Sequence, residues 1–254
     1  SHSAEHFEDR LETCVARLNE QKRVTVAGRV TAGERERTSQ RDEREDERVA
    51  IVGMAGRFPG SGNLHAFWEN LEKGRDLIGE VPASRWPVET FYDPEPGKPG
   101  KTCCKWMGAL DEVACFDPLF FNISPAEARS MDPQQRLFIE SCWSCLEDAA
   151  LDPRALNGAN CGVFAGCGAG DYGYDAERGG VIGATGSAPS ILPARIAYLL
   201  NLKGPSLAID TACSSSLVAI AEACDSLLLG NCDSALAGGV LVMSGPSLHV
   251  GLSQ

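Results

Sequence analysis

The chain has 254 residues, 43% of them hydrophobic and 23% charged, a balance that supports a buried core and excludes disorder throughout. Its formal charge of −12 opposes phosphate backbones and anionic lipid surfaces, which argues against nucleic-acid and membrane partners. Residues 1–48 carry 12 acidic and 10 basic side chains and residues 49–254 carry 23 and 13, leaving a net −10 on the folded-looking part.

The first residues lack the basic and apolar regions of a secretory signal, so no export is implied. Phe7, Leu11, Cys14 and Leu18 follow a 4-3-4 spacing, a short heptad seam. Two readings stay open for it: a frayed amphipathic helix, or a helix that dimerises or docks. From Glu34 to Arg48, 12 of 15 residues are charged, which reads as a linker or solvated helix. We place the domain boundary there, with a helical and charged segment at 1–47 and a folded body at 48–254.

The body opens on Arg48-Val-Ala-Ile-Val-Gly-Met54, an apolar run predicting a buried strand. Leu64, Phe67, Trp68 and Leu71 give a helical stripe over residues 63–73. Residues 81–121 form a long irregular stretch rich in Pro, Gly and aromatics, a length of loop that is usually functional. Ser124-Pro125 resembles a helix start, and a second helix is predicted from Asp132-Pro133 through Ala150. Strands follow at 162–166, 206–209 and 234–243, with helices at 191–200 and 214–229 between them. Alternation of strongly apolar strands and helices predicts an α/β sheet covered on both faces. The most apolar helix, 217–229, contains Glu222 and Asp225 and falls short of the ~18–20 residues of a membrane span.

Eleven cysteines, an odd number in a chain too long to need stapling, suit reduced thiols in the cytoplasm. Cys142 and Cys145 have half the spacing of a zinc site but no second pair, and read as core residues of a helix. Gly97-Lys-Pro-Gly-Lys-Thr102 lacks the first glycine of a phosphate loop, which is replaced by Glu95. Gly166-Cys-Gly-Ala-Gly170 lacks the spacing of a dinucleotide fingerprint and reads as a turn. Of the four histidines, only His2 and His6 come near a ligand spacing, so no metal is predicted.

The chemistry-bearing segment is Gly204-Pro-Ser-Leu-Ala-Ile-Asp-Thr-Ala-Cys-Ser-Ser-Ser-Leu217. A strand ending at Asp210 and a helix starting a few residues later put Cys213 in a sharp turn at the helix N-terminus. Unpaired N–H groups and the helix dipole at such a position favour a thiolate and can hold an oxyanion. Two readings remain open from these residues alone: an activated nucleophile for acyl transfer, or a buried structural cysteine in a serine-rich helix cap.

Asp-Thr-Ala-Cys-Ser-Ser-Ser-Leu (210–217) resembles the active-site motif of ketosynthase domains of modular type I polyketide synthases, in the thiolase-like superfamily. VAIVGMAGRFPG (49–60), GKTCCKWMGAL (100–110), FDPLFFNISPAEARSMDPQQRL (116–137), CLEDAALDP (145–153) and CDSALAGGV (232–240) resemble the same family in the same order. The resemblance covers residues 48–254. It implies the N-terminal half of a thiolase-like fold, with a mixed five-stranded sheet between helices and one helical face left apolar. By the same resemblance, Cys213 accepts an acyl chain from the phosphopantetheine thioester of an acyl carrier protein. A malonyl-type extender then decarboxylates, and its enolate attacks the acyl-cysteine. Thr211, Ala212 and Ser214 shape the turn, the Cys213 N–H is an oxyanion donor, no cofactor is bound by this chain itself, and a homodimer is implied. The family's two later histidine motifs do not occur in these residues, and His249 matches neither. These residues alone are therefore expected to condense poorly, because the enolate lacks positioned donors. The alternatives are a non-catalytic docking or assembly fragment, or acyl transfer without condensation.

Overall fold

The computed structural model describes residues 48–172 and 185–254. The seam of Phe7, Leu11, Cys14 and Leu18, the charged run up to residue 47, and His2 and His6 lie outside the described residues.

Helix starts follow local capping chemistry. The Asn63 side chain accepts from the Ala66 N–H at 2.9 Å and opens α1 (Leu64–Glu72). A two-stranded antiparallel ribbon, β1 (Gly79–Glu80) and β2 (Trp106–Met107), brackets the short helix α2 (Val88–Phe91). Val81, Trp86 and Met107 make a small core there with Phe91 and Met243 packed against it. The long stretch expected to be irregular thus has a core of its own. Ser124 caps α3 (Pro125–Ser130), and Asp132 caps α4 (Pro133–Asp148) by accepting from the Gln134 N–H at 2.8 Å. Each helix carries proline in its first turn, where no N–H partner is lost.

Beyond α4 come β3 (Cys161–Gly166), α5 (Ile191–Leu199), β4 (Ser206–Ile209), α6 (Ser215–Leu228), β5 (Ser234–Gly239) and α7 (Ser247–Leu252). Pro193 is the third residue of α5, still within the turn whose N–H groups have no helical acceptor. The three strands are parallel in the order β4-β3-β5, with Val163 opposite both Ser206 and Leu236. All six residues of β3 are buried. Alternation divides them between two faces. Val163 and Ala165 join a core with Ile139, Cys142 and Leu146 of α4 and Leu192 and Ile196 of α5, whereas Phe164 packs with Ala219 and Ala223 of α6. The result is the three-layer α/β arrangement expected from the apolar strand.

Three expectations need correction. Residues 48–54 form no strand: Ile51 is 78% exposed, and no described strand pairs with this segment. An apolar extended run becomes a buried strand only with ladder partners at its edges. The mixed five-stranded sheet is accordingly, among the described residues, a three-stranded parallel sheet plus the separate ribbon. Strands β4 and β5 are both edges of that sheet and only partly covered. The last strand also stops at Gly239 rather than Met243, because its partner β3 ends at Gly166, whose carbonyl accepts a final bond from Val240.

On its outer side α6 presents Leu217, 71% exposed, together with Ile220 and Leu228, and Leu229 follows at its end. That matches the apolar helical face the family resemblance implied. No helix among the described residues is long and apolar enough to cross a membrane.

Candidate active site

The first turn of α6 sits directly over the carboxyl end of the sheet, and two glycines make room for it. Gly166 ends β3 and lies in register with Gly239 at the end of β5. A Cβ on Gly166 would stand 2.6 Å from the Ser215 carbonyl carbon, and one on Gly239 would stand 2.5 Å from Ser216 Cβ. Any side chain at either position would push the helix start off the sheet.

Strand and helix are joined by Asp210, Thr211 and a 3-10 turn, Ala212–Ser214. Ala212 has φ +57°, the left-handed region that side chains other than glycine rarely adopt. Hydrogen bonds hold it there. The Ala212 N–H donates to Asp210 Oδ1 at 3.1 Å, and the Thr211 N–H donates to Ser215 Oγ at 2.9 Å. Ser215 Oγ in turn donates to the Ala212 carbonyl at 2.7 Å. Ser214 Oγ donates to the Thr211 carbonyl at 2.9 Å, which leaves Thr211 Oγ1 as the donor in its 2.9 Å contact with Ser214 Oγ. The other Asp210 carboxylate oxygen would lie 3.2 Å from a Cβ on Gly168, so the backbone at Gly168 fits closely beside the junction.

Thr211, Ala212, Cys213 and Ser214 are all exposed. The structure therefore brings the four sequence-predicted site residues into one turn and opens it to solvent, which disfavours the reading of Cys213 as a buried structural cysteine. Hydrogen bonds within the turn engage the N–H groups of Thr211, Ala212 and Ser215, and outside the 3-10 turn itself the Cys213 N–H meets no acceptor among the described residues. Sequence reasoning missed Asp210 and Ser215 as the groups that tie the turn. Their signal was available: both are residue types that bond their own neighbouring backbone.

The buried thiols differ from the exposed Cys213 in their surroundings. Burial pushes the Cys142 thiol far above its ordinary range, with Cys145 and Cys161 nearby adding to the effect. Burial likewise raises Cys167 to about 11, with Asp210 and Asp132 contributing. Such thiols are poor nucleophiles at neutral pH. Among the described residues Cys103, Cys104 and Cys115 are exposed like Cys213, but none of them sits in a short turn that joins a strand directly to a helix start, as Cys213 does between Ile209 and Ser215.

Cys213 thus stands on a strand–turn–helix junction at the carboxyl end of a parallel sheet in an α/β fold. Residues 46–254 match the family model for the beta-ketoacyl synthase N-terminal domain, and the chain belongs to that family. It is 45% identical over 212 residues to polyketide synthase PksL of Bacillus subtilis, covering 84% of this chain and 5% of that protein. It is 48% identical over 219 residues to the pikromycin polyketide synthase component PikAII of Streptomyces venezuelae, covering 83% and 6%. Among solved structures it is similar to the oxazolomycin ketosynthase domain OzmH KS7 of Streptomyces albus, with TM-score 0.75 and 44% identity over 80% of this chain and 36% of that one. It is also similar to the ketosynthase of module 6 of the bacillaene synthase from Bacillus subtilis, with TM-score 0.70, 43% identity, and coverage of 80% and 33%. The fold is thus that of the N-terminal part of a thiolase-like ketosynthase. The chain spans about a third of those solved domains and a far smaller share of the curated polyketide synthases.

Proposed function

We propose that this chain supplies the nucleophile half of a polyketide ketosynthase, with Cys213 as the acyl acceptor. The observation that carries the reading is the exposed Cys213 on its tied, left-handed turn above the Gly166–Gly239 pair. In the proposed step, the Cys213 thiolate attacks the thioester carbonyl of an acyl chain carried on the phosphopantetheine of an acyl carrier protein. Negative charge gathers on the carbonyl oxygen, toward which the Cys213 N–H can donate. Collapse expels the pantetheine thiolate and leaves the acyl group on Cys213 Sγ. Thr211, Ala212 and Ser214 set the direction of the turn.

Carbon–carbon bond formation requires a malonyl-type extender to lose carbon dioxide and its enolate to attack the acyl-cysteine. The family's histidine motifs for that step do not occur in these residues, so acyl transfer is assigned to this chain and condensation to the larger ketosynthase. The exposed apolar face of α6 is the surface proposed to pack against the rest of that domain. The edge of β4, with Leu207 exposed on it, is the proposed homodimer contact, since among the described residues no strand pairs with it on that side. Residues 1–47 form a separate charged segment in this reading, and the setting is cytoplasmic.

The test is transfer of a short acyl group from a carrier protein to the chain, read by intact mass. Addition of one acyl group to wild type and none to Cys213→Ala supports the reading. Equal acylation of both proteins overturns it.

A further inference from the structure

We infer that the Ser215 hydroxyl is a positioning group for Cys213, aiming the Cys213 N–H by holding the peptide before it. The inference rests on the reading of Cys213 as the acyl acceptor and goes beyond it by naming what orients the nucleophile.

Ser215 is buried at the first residue of α6, 8% exposed, beneath a turn whose other members are open to water. Its single hydroxyl spans the turn, accepting from the Thr211 N–H at 2.9 Å and donating to the Ala212 carbonyl at 2.7 Å. The Ser215 N–H reaches the same carbonyl. That carbonyl shares a planar trans peptide with the Cys213 N–H, so the two groups point in opposite directions. Drawing the carbonyl inward onto Ser215 therefore turns the N–H outward, to the exposed side where a thioester would arrive.

The same contacts hold Ala212 at φ +57°, a conformation that alanine would leave if released. Asp210 supplies a further tether through its 3.1 Å bond from the Ala212 N–H, but Asp210 is exposed and water competes for that carboxylate. The buried hydroxyl has no such competition. It is therefore the group whose loss lets the turn relax.

The experiment uses the full chain as wild type, Ser215→Ala, and the double variant Ser215→Ala with Ala212→Gly. Three rates are read: amide exchange of the Thr211 N–H, acylation of Cys213 by a short acyl-pantetheine thioester, and alkylation of Cys213 by iodoacetamide. Alkylation needs an accessible thiol but no oxyanion donor. In Ser215→Ala, Thr211 exchange rises and acylation falls, each by about tenfold or more, while alkylation changes by less than about threefold. Glycine adopts the left-handed conformation without strain, so the double variant recovers most of the acylation rate. A merely structural hydroxyl would not be replaced by a glycine three residues away.

Ser215→Ala acylated at the wild-type rate overturns the positioning role alone. So does a loss shared equally by acylation and alkylation and unrelieved by Ala212→Gly. A wild-type chain that takes no acyl group at Cys213 overturns the acyl-acceptor reading and the positioning role with it, a result distinct from the first two.

Discussion

Replacing Gly166 by alanine tests whether the sheet positions Cys213. The added Cβ would meet the Ser215 carbonyl carbon at 2.6 Å and the Ser215 oxygen and Ser216 nitrogen at 2.7 Å. All three are backbone atoms, so no side chain can swing aside. Ordinary contact begins near 3.4 Å, and the first turn of α6 must retreat by roughly 0.8 Å to regain it. Overpacking of this kind costs about 1–3 kcal/mol of stability. A displacement approaching 1 Å at a reacting group costs about a hundredfold in rate. Gly166→Ala should therefore lower the denaturation midpoint modestly and slow Cys213 acylation far more than the stability loss explains. Gly79→Ala, where the Cβ meets nothing within 4 Å, is the control. The measurements are chemical denaturation and the acylation rate at a temperature where both variants are folded. Wild-type acylation in Gly166→Ala would refute the claim that close approach of helix and sheet sets the cysteine.

Three further outcomes are expected. Phe164 is 1% exposed between β3 and α6, so Phe164→Ala should cost about 3–5 kcal/mol by denaturation, and a loss below 1 kcal/mol would contradict the core assignment. Asn63→Ala removes the cap on the Ala66 N–H and should cost about 0.5–2 kcal/mol, with Asn63→Asp largely retaining stability. Burial holds the Asp132 carboxyl above the ordinary carboxylate range, against the opposing hydrogen bond from the Gln134 N–H. The folded chain then binds this proton more tightly than the unfolded chain, so the contribution of Asp132 to stability falls as pH rises through the raised value. Asp132→Asn keeps a capping oxygen and removes the titration. Its stability relative to wild type should rise from about pH 4 to pH 7, and a fall over that range would contradict the assignment.

What could be read from sequence followed the range of the forces involved. The helix start at Ser124 was legible because a side chain and an N–H three residues away decide it, and the caps at Asn63 and Asp132, which the sequence reading did not single out, follow the same local rule. The fully buried β3 was legible because its whole apolar run is covered on both faces. Residues 48–54 misled because their composition specifies a strand only when a ladder partner stands beside it, and partners are non-local. The end of β5 was misjudged for the same reason, being set by where β3 stops. At the site, the motif located Cys213 and its neighbours but not the left-handed Ala212, a conformation alanine does not advertise. Ser215 was hidden among three successive serines, and only the fold shows that it is the buried one reaching both Thr211 and Ala212. The glycine pair was equally invisible, since Gly166 and Gly239 are brought together only by strand register.

The central claim is that Cys213 is chemically singled out by its turn. Peptide-mapped mass spectrometry after incubation with a short acyl-pantetheine thioester tests it most directly, scoring each of the eleven cysteines. Acylation confined to Cys213, with the exposed Cys103, Cys104 and Cys115 unmodified, is the predicted result. Acylation spread evenly over the exposed thiols, or absent from Cys213, would contradict it.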